Sequence, residues 1–457
     1  MRRHDLIVIG TGSGNSIVDA RFDHLDVAIV EEGTFGGTCL NVGCVPTKMF
    51  VVAADVASTV RGSARYGIDA TLDAVRWTDI RDRIFERIDP IAVDGERYRR
   101  EAPNVTVYAE RARFVGPKRL RLARGLEVEA EHIVIAAGSR PVLPDVAGLA
   151  GPRVHTSDTI MRIDNLPSRL AILGGGVIAA EMAHVFSSLG VEVTVIARSE
   201  GLLIHEDTTV STRFTALARD RWDVRTDTWV IGAEDRESGM RLSLCETGGC
   251  IERSTVEADL VLVAIGRVPN SDRLEVTASD VTTYDDGRVV VDDQQQTSVE
   301  GIWALGDVTS PHQLKHVANH EARVVRHNLL HPDSPMRADH RFVPRAVFSS
   351  PQIAAVGRSE RDLAEAEMAY VVGLAEYRDV AYGWALEDTT GFVKLLADPQ
   401  TGLLLGAHIV GPQASTLVQP LVQAMSTGLP VRDMARGQYW IHPALPEVIE
   451  NALLDLL

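Results

Sequence analysis

The stretch Leu6-Ile7-Val8-Ile9-Gly10-Thr11-Gly12-Ser13-Gly14-Asn15 is a short apolar run that stops at closely spaced glycines. A mixed polar and apolar stretch follows, then Val27-Ala28-Ile29-Val30-Glu31, a second apolar run closed by an acid. This order predicts strand, glycine-rich turn, helix and strand. In such a unit the glycines let backbone approach a pyrophosphate, the helix N-terminus receives it, and the acid bonds a ribose hydroxyl. The third glycine of the usual spacing would fall at position 15, where Asn15 stands. The acid at the expected distance carries the reading.

The pattern recurs. Leu170-Ala171-Ile172-Leu173 precedes Gly174-Gly175-Gly176-Val177-Ile178-Ala179, and a helical stretch leads to Val191-Glu192-Val193-Thr194-Val195-Ile196-Ala197-Arg198. Here the second strand ends in Arg198. A cation suits the 2′-phosphate of NADPH, where an acid would suit NADH. Two such folds imply two dinucleotides, a tightly held FAD and an exchangeable NADPH. The runs 132–138 and 260–266 also end in glycine and are expected to close the two folds, and Asp307 follows a further strand-like run. From about residue 340, alternating strand patterns such as Phe392-Val393-Lys394-Leu395-Leu396 give way to helical ones, as in a separate α+β domain. Pro332-Asp333-Ser334-Pro335 is the linker candidate. The expected class is α/β: a FAD-binding domain at 1–145 resumed as a central part at 269–338, an NADPH-binding domain at 146–268, and a C-terminal dimerisation domain at 339–457.

Between these landmarks lies Gly36-Gly37-Thr38-Cys39-Leu40-Asn41-Val42-Gly43-Cys44-Val45-Pro46-Thr47-Lys48. A close dithiol beside a dinucleotide turn implies electron flow from a cofactor to a disulfide. Cysteine cannot accept a hydride, but a flavin can, and it passes two electrons on to a disulfide against its ring. A helix starting near Cys44 would place one sulfur at a helix N-terminus, where a thiolate is stabilised. A zinc half-site lacks a second ligand pair, and structural disulfides are rare in cytosolic chains.

At 457 residues the chain predicts two to four domains. Hydrophobic and charged contents of 45% and 24% are those of a globular protein. A net charge of −17 argues against nucleic acid and anionic membrane as partners. No stretch reads as a run of roughly 20 apolar residues. The N-terminal apolar run is too short for a signal peptide, so a cytoplasmic location is expected.

These residues bring the chain to a family. It resembles the flavin-dependent pyridine nucleotide–disulfide oxidoreductases, the group of glutathione reductase, dihydrolipoamide dehydrogenase and mercuric reductase. The marks are the motif at 36–44, Ala304-Leu305-Gly306-Asp307, and His442-Pro443-Ala444-Leu445-Pro446-Glu447. Within the family, the stretches at 10–16, 314–323 and 435–442 are most similar to the mycothione reductases. The substrate so implied is mycothione, the disulfide of an N-acetylcysteine carried on a glucosamine–inositol disaccharide. Asn15 is then a trait of that branch.

The resemblance implies roles. Gly10, Gly12, Ser13 and Glu31 would hold the adenosine diphosphate half of FAD, and Asp307 its ribityl–pyrophosphate region. The FAD-side set further takes in Thr38, Ala112 and Lys315, with Lys315 offsetting negative charge on the reduced ring. Gly174, Gly176, Ile178, Arg198 and Gly266 form the NADPH side. Lys48 and Glu181 would pair beside the flavin. NADPH would reduce the flavin, which would reduce the Cys39–Cys44 disulfide by way of Cys44. Cys39 would then attack the substrate disulfide, and Cys44 would resolve the mixed disulfide. His442, oriented by Glu447 and contributed by the other subunit of a homodimer, would be the acid–base.

Other readings stay open at this point. Dihydrolipoamide dehydrogenase runs the reaction the other way with NAD and usually has an acid in place of Arg198. Another low-molecular-weight disulfide would fit the same cysteines, and a structural flavoprotein would keep the folds without needing Cys39, Cys44, His442 and Glu447. Ile204, where glutathione reductase has a second arginine, weakens the preference for NADPH and leaves NADH as a weaker alternative. Val177 stands where a tyrosine or phenylalanine often covers the flavin, so nicotinamide access is expected to be less gated. His316 and His320, one helical turn apart, have no third ligand and are read as ordinary helix residues. Cys245 and Cys250 are read as bystanders in a hairpin turn.

Overall fold

The computed structural model describes residues 1–246 and 254–457. Leu6, Ile7, Val8 and Ile9 are all buried because their strand, Arg2–Ile9, is covered on both faces. It pairs in parallel with Val27–Val30 on one side and Glu127–Ile135 on the other, in registers Ile9↔Val30 and Ile9↔Ile135. Val105–Tyr108 extends the sheet beyond Val27–Val30, and Ile302–Ala304 returns from far along the chain to pair with Glu127–Ile135. The antiparallel strands Ala112–Gly116 and Arg119–Leu122 complete seven strands. Both faces buried explains why these strands read as continuous apolar runs.

The second sheet repeats the plan. Its order is Asp223–Arg225, Glu192–Ile196, Arg169–Leu173, Leu260–Val263 and Val154–His155, all parallel. The third sheet is antiparallel, ordered Arg345–Val347, Ile353–Gly357, Leu404–Val410, Phe392–Ala397 and Val371–Glu376, with the helices Ala414–Thr427 and Pro446–Leu454 packed on it.

Three sequence expectations need correction. No α-helix follows the first glycine turn. Two 3-10 turns, Gly14–Ser16 and Ala20–Phe22, cross from strand to strand instead. Asp19 divides the crossover: its extended backbone (φ −141°, ψ −173°) interrupts the chain after the first turn, and its carboxylate accepts from the Arg21 N–H as the cap that starts the second. Next, Phe392–Ala397 is not a half-exposed alternating strand. Every residue in it is buried, including Lys394, whose ammonium meets Asp207 at 2.7 Å across the boundary with the second sheet's layer. Finally, one helical run, Gly37–Arg61, is long and apolar enough to cross a membrane by length and composition. In the fold Phe50, Val51, Ala54 and Ala57 of this run are buried against the helices Trp77–Glu101 and Val177–Ser188, so its apolar residues serve the core beneath the cysteines.

Candidate active site

The two glycine turns near the N-terminus touch. A Cβ on Gly37, whose φ is +65°, would lie 2.7 Å from the Gly12 Cα, so the phosphate turn and the start of the cysteine segment are held back to back. Gly10, at φ +99°, sits against the Ala136 carbonyl, where a Cβ would come within 2.3 Å. Both positions demand glycine.

The Ser13 hydroxyl donates to Asn319 Oδ1 (2.9 Å) and accepts from Lys315 Nζ (2.9 Å), which ties the turn to the start of the helix Lys315–Leu330. Glu31 accepts from the Thr11 backbone N–H (2.8 Å), the Thr11 hydroxyl (2.7 Å) and the Gly33 N–H (2.9 Å), so its carboxylate is fixed at the strand end. Asp307 accepts from the Ser139 hydroxyl at 2.7 Å, and buried Glu321 accepts from the Gly306 N–H at 2.6 Å. Ala112 is buried at the start of Ala112–Gly116, on the antiparallel arm of the first sheet. Around the turn, then, are backbone amides, a lysine, hydroxyls and three carboxylates. That donor and acceptor set fits a dinucleotide diphosphate and its ribose hydroxyls.

Cys39 and Thr38 lie in the short helix Gly37–Asn41, and Cys44 opens the helix Cys44–Arg61. Both cysteines are free thiols in this state. The Cys44 S–H donates to Cys39, and this brings Cys39 from 9.0 down to about 7. Burial opposes the shift, while the Lys315 ammonium and the backbone N–H groups of Cys44 and Val45 assist it. Cys44 moves the other way, raised first by that same hydrogen bond and then by burial of its sulfur. The N–H groups at the start of the helix that begins at Cys44 therefore assist the sulfur of Cys39, two of them against one for the sulfur of its own first residue.

One turn on, Lys48 Nζ meets both Glu181 oxygens at 2.7 and 2.6 Å. Glu181 comes from the helix Val177–Ser188, so the pair joins the two dinucleotide folds. The Phe348 N–H donates to Glu181 at 2.9 Å, and Lys48 lies 4.5 Å from the centre of the Phe348 ring. A buried ion pair needs such extra partners to repay desolvation. A cleft of about 560 Å³ opens beside Cys44 and Lys48, lined also by Val45, Met49, Val52 and Arg83.

In the second fold, Gly174 at φ +125° abuts the Ala264 carbonyl, and Gly176 precedes the helix Val177–Ser188, whose second residue is half-buried Ile178. Gly266, at φ +128°, has open space around it. Val177 is 43% exposed. Arg198 lies exposed just past the end of Glu192–Ile196 and makes no hydrogen bond or ion pair among the described residues. It is an uncommitted cation.

His442 is the outlier. Its ring bonds Glu447 at 2.7 Å, and Glu447 also accepts from the Ala444 N–H at 3.0 Å. The hydrogen bond to His442 holds the Glu447 carboxyl below its ordinary range. The His442 side chain is 71% exposed, and it takes no part in lining the cleft at Cys44. Its neighbours Tyr439 and Ile441 are exposed as well. The oriented imidazole faces outward on a surface of its own.

His316 bonds the Pro344 carbonyl (2.8 Å) and His320 accepts from the Asp339 N–H (3.2 Å), so both rings serve the segment leading into the third sheet. Cys245 is buried on the strand Gly239–Glu246; Cys250 lies outside the described residues. Sequence reasoning missed Asn319, Ser139, Phe348 and Glu321. Each acts by contact across the chain, and only Asn319 and Glu321 lay inside a stretch already singled out.

Residues 4–322 match the pyridine nucleotide-disulphide oxidoreductase model, and residues 343–453 match the dimerisation domain of the same oxidoreductases. The chain belongs to that family. It is 56% identical to mycothione reductase of Mycobacterium tuberculosis over the full length of both chains. To dihydrolipoyl dehydrogenase of Halobacterium salinarum it is 32% identical, covering 98% of this chain and 95% of the relative. Among solved structures, the HOCl-induced flavoprotein disulfide reductase RclA of Escherichia coli, as its Cu(II) complex, superposes with a TM-score of 0.86 at 26% identity, covering 100% of this chain and 99% of that one.

Proposed function

We propose that this chain is an NADPH-dependent mycothione reductase that works as a homodimer through FAD and the Cys39–Cys44 couple, in the cytoplasm. The full-length identity of 56% to mycothione reductase carries the choice of substrate. Arg198, where a dihydrolipoamide dehydrogenase usually has an acid, favours it over that rival.

Bound FAD supplies the two-electron relay between the nicotinamide and the protein disulfide. Gly10, Gly12, Ser13, Glu31, Thr38, Ala112, Asp307 and Lys315 are the residues assigned to hold it. Lys48 and Glu181 belong at its reactive edge, and Gly174, Gly176, Ile178, Gly266 and Arg198 hold NADPH.

The cysteines then act in order. The Cys39 thiolate attacks one sulfur of the substrate disulfide, and that bond breaks as a mixed disulfide forms on Cys39. His442 of the partner subunit gives the departing thiolate a proton. Cys44 loses its proton to the same imidazole and attacks Cys39, which re-forms the protein disulfide and expels the second thiolate. The imidazolium protonates that one too. Two electrons and two protons thus convert one disulfide to two thiols.

The deciding experiment is a panel of mycothione, glutathione disulfide and lipoamide with NADPH and NADH. Fast NADPH oxidation with mycothione alone is expected. A preference for lipoamide and NAD would sink the reading. Arg198→Ala should raise KM for NADPH by about 10- to 100-fold, the loss of one charge-assisted contact of roughly 1.5–3 kcal/mol. KM for NADH should barely change. Equal changes for both cofactors would mean that Arg198 serves the fold and not the phosphate.

A further inference from the structure

The first glycine turn lacks the α-helix whose N-terminal end would offer positive potential to a diphosphate. Two cations from distant helices converge on the short turns that replace it. Arg99, in the last turn of Trp77–Glu101, is 7% exposed. Its guanidinium donates to Asn15 Oδ1 (2.7 Å), the Asn15 carbonyl (2.5 Å) and the Val18 carbonyl (2.9 Å). It forms no ion pair among the described residues. Arg326, from Lys315–Leu330, donates to the Ser16 carbonyl at 3.2 Å. It lies 3.6 Å from Asp19, but Asp19 is already held by Arg21, the largest cause of its lowered pKa.

A buried charge is normally paired, because leaving it alone in a poorly solvated site is costly. Arg99 spends its hydrogen bonds on neutral acceptors, and the Asp19 carboxylate that acts on its charge from a distance is already bonded by Arg21.

We propose that Arg99, with Arg326 in support, is a positioning residue for the FAD diphosphate. It caps the carbonyls of the short turns, and its charge replaces the potential of the missing helix. Asn15, which breaks the usual glycine spacing, is the residue that seats this guanidinium. The inference rests on the flavin reading above.

The test follows flavin release from the purified holoenzyme by the rise of free flavin fluorescence, at low and high salt. Arg99→Gln keeps hydrogen-bonding capacity and loses the charge; Arg99→Lys keeps the charge and loses the planar fork. Arg99→Gln is expected to release flavin about 10-fold faster than wild type, the scale of a charge at a partly buried helix terminus. Arg99→Lys should restore most of the retention, and salt should speed release from wild type more than from Arg99→Gln. Arg326→Gln, at a more exposed site, should act in the same direction and guards against misfolding of the Arg99 variants. If Arg99→Gln and Arg326→Gln retain flavin like wild type, or Arg99→Lys releases it as fast as Arg99→Gln, the charge has no such role. A wild-type protein without flavin would instead overturn the flavin reading itself.

Discussion

Replacing Cys39 by serine is expected to stop disulfide turnover, by at least roughly 10³-fold, the scale of deleting a nucleophile. Cys44→Ser should be as severe, since the mixed disulfide then has no resolving thiol. The two cysteines differ in a second measurement. In the reduced protein the Cys44 S–H donates to Cys39 and holds it at about 7. The rate of Cys39 alkylation by iodoacetamide should therefore climb as pH rises through about 7 and level off above it. Removing the donor with Cys44→Ala takes away the largest cause of that shift, so the midpoint must move up toward the ordinary thiol value of 9.0. Cys44, raised by the same bond, should stay almost unreactive at neutral pH in the wild-type protein. A Cys39 midpoint that ignores Cys44→Ala would show that Lys315 and the helix N–H groups set the thiolate instead.

His442→Ala should slow reduction of the disulfide substrate by at least about 10²-fold, as for loss of a general acid–base. Reduction of the enzyme by NADPH, measured alone in a rapid-mixing experiment, should stay close to wild type. That split follows from geometry. The ring is tied to Glu447 at 2.7 Å and exposed on its own surface, and it takes no part in the Lys48–Glu181 pair. Glu447→Gln should cost less, because an amide still holds the ring in place but gives an imidazolium no charge. Mixing His442→Ala subunits with Cys39→Ser subunits provides a sharper check. Each mixed dimer has one intact composite site, so partial activity should reappear although both parents are inactive. No recovery in confirmed mixed dimers would mean that the histidine works within its own chain.

Much of this was readable in the one-dimensional chain, because some constraints are local. Gly10 and Gly174 take a positive φ, a local demand that announces a turn at a strand end, although the carbonyls that crowd them, those of Ala136 and Ala264, come from far along the chain. Strands buried on both faces show as unbroken apolar runs. The spacing of Cys39 and Cys44 already implies a redox couple, and Arg198 ends its strand where a phosphate would be met. Other features depended on contacts between residues distant in sequence. The first crossover reads as a helix by position, yet Asp19 breaks it into short turns and Arg99, 84 residues beyond Asn15, completes it. Lys394 looks like the outward residue of an alternating strand until Asp207, 187 positions away, is found against it. The lowering of Cys39 depends on its contact with Cys44 and on Lys315, reaching in from a helix that begins some 270 residues later. Local propensity and spacing determined the elements and the chemistry they carry. The placement of buried charge was left to tertiary structure, because an ion in a poorly solvated interior is stable only where the folded chain brings it a partner.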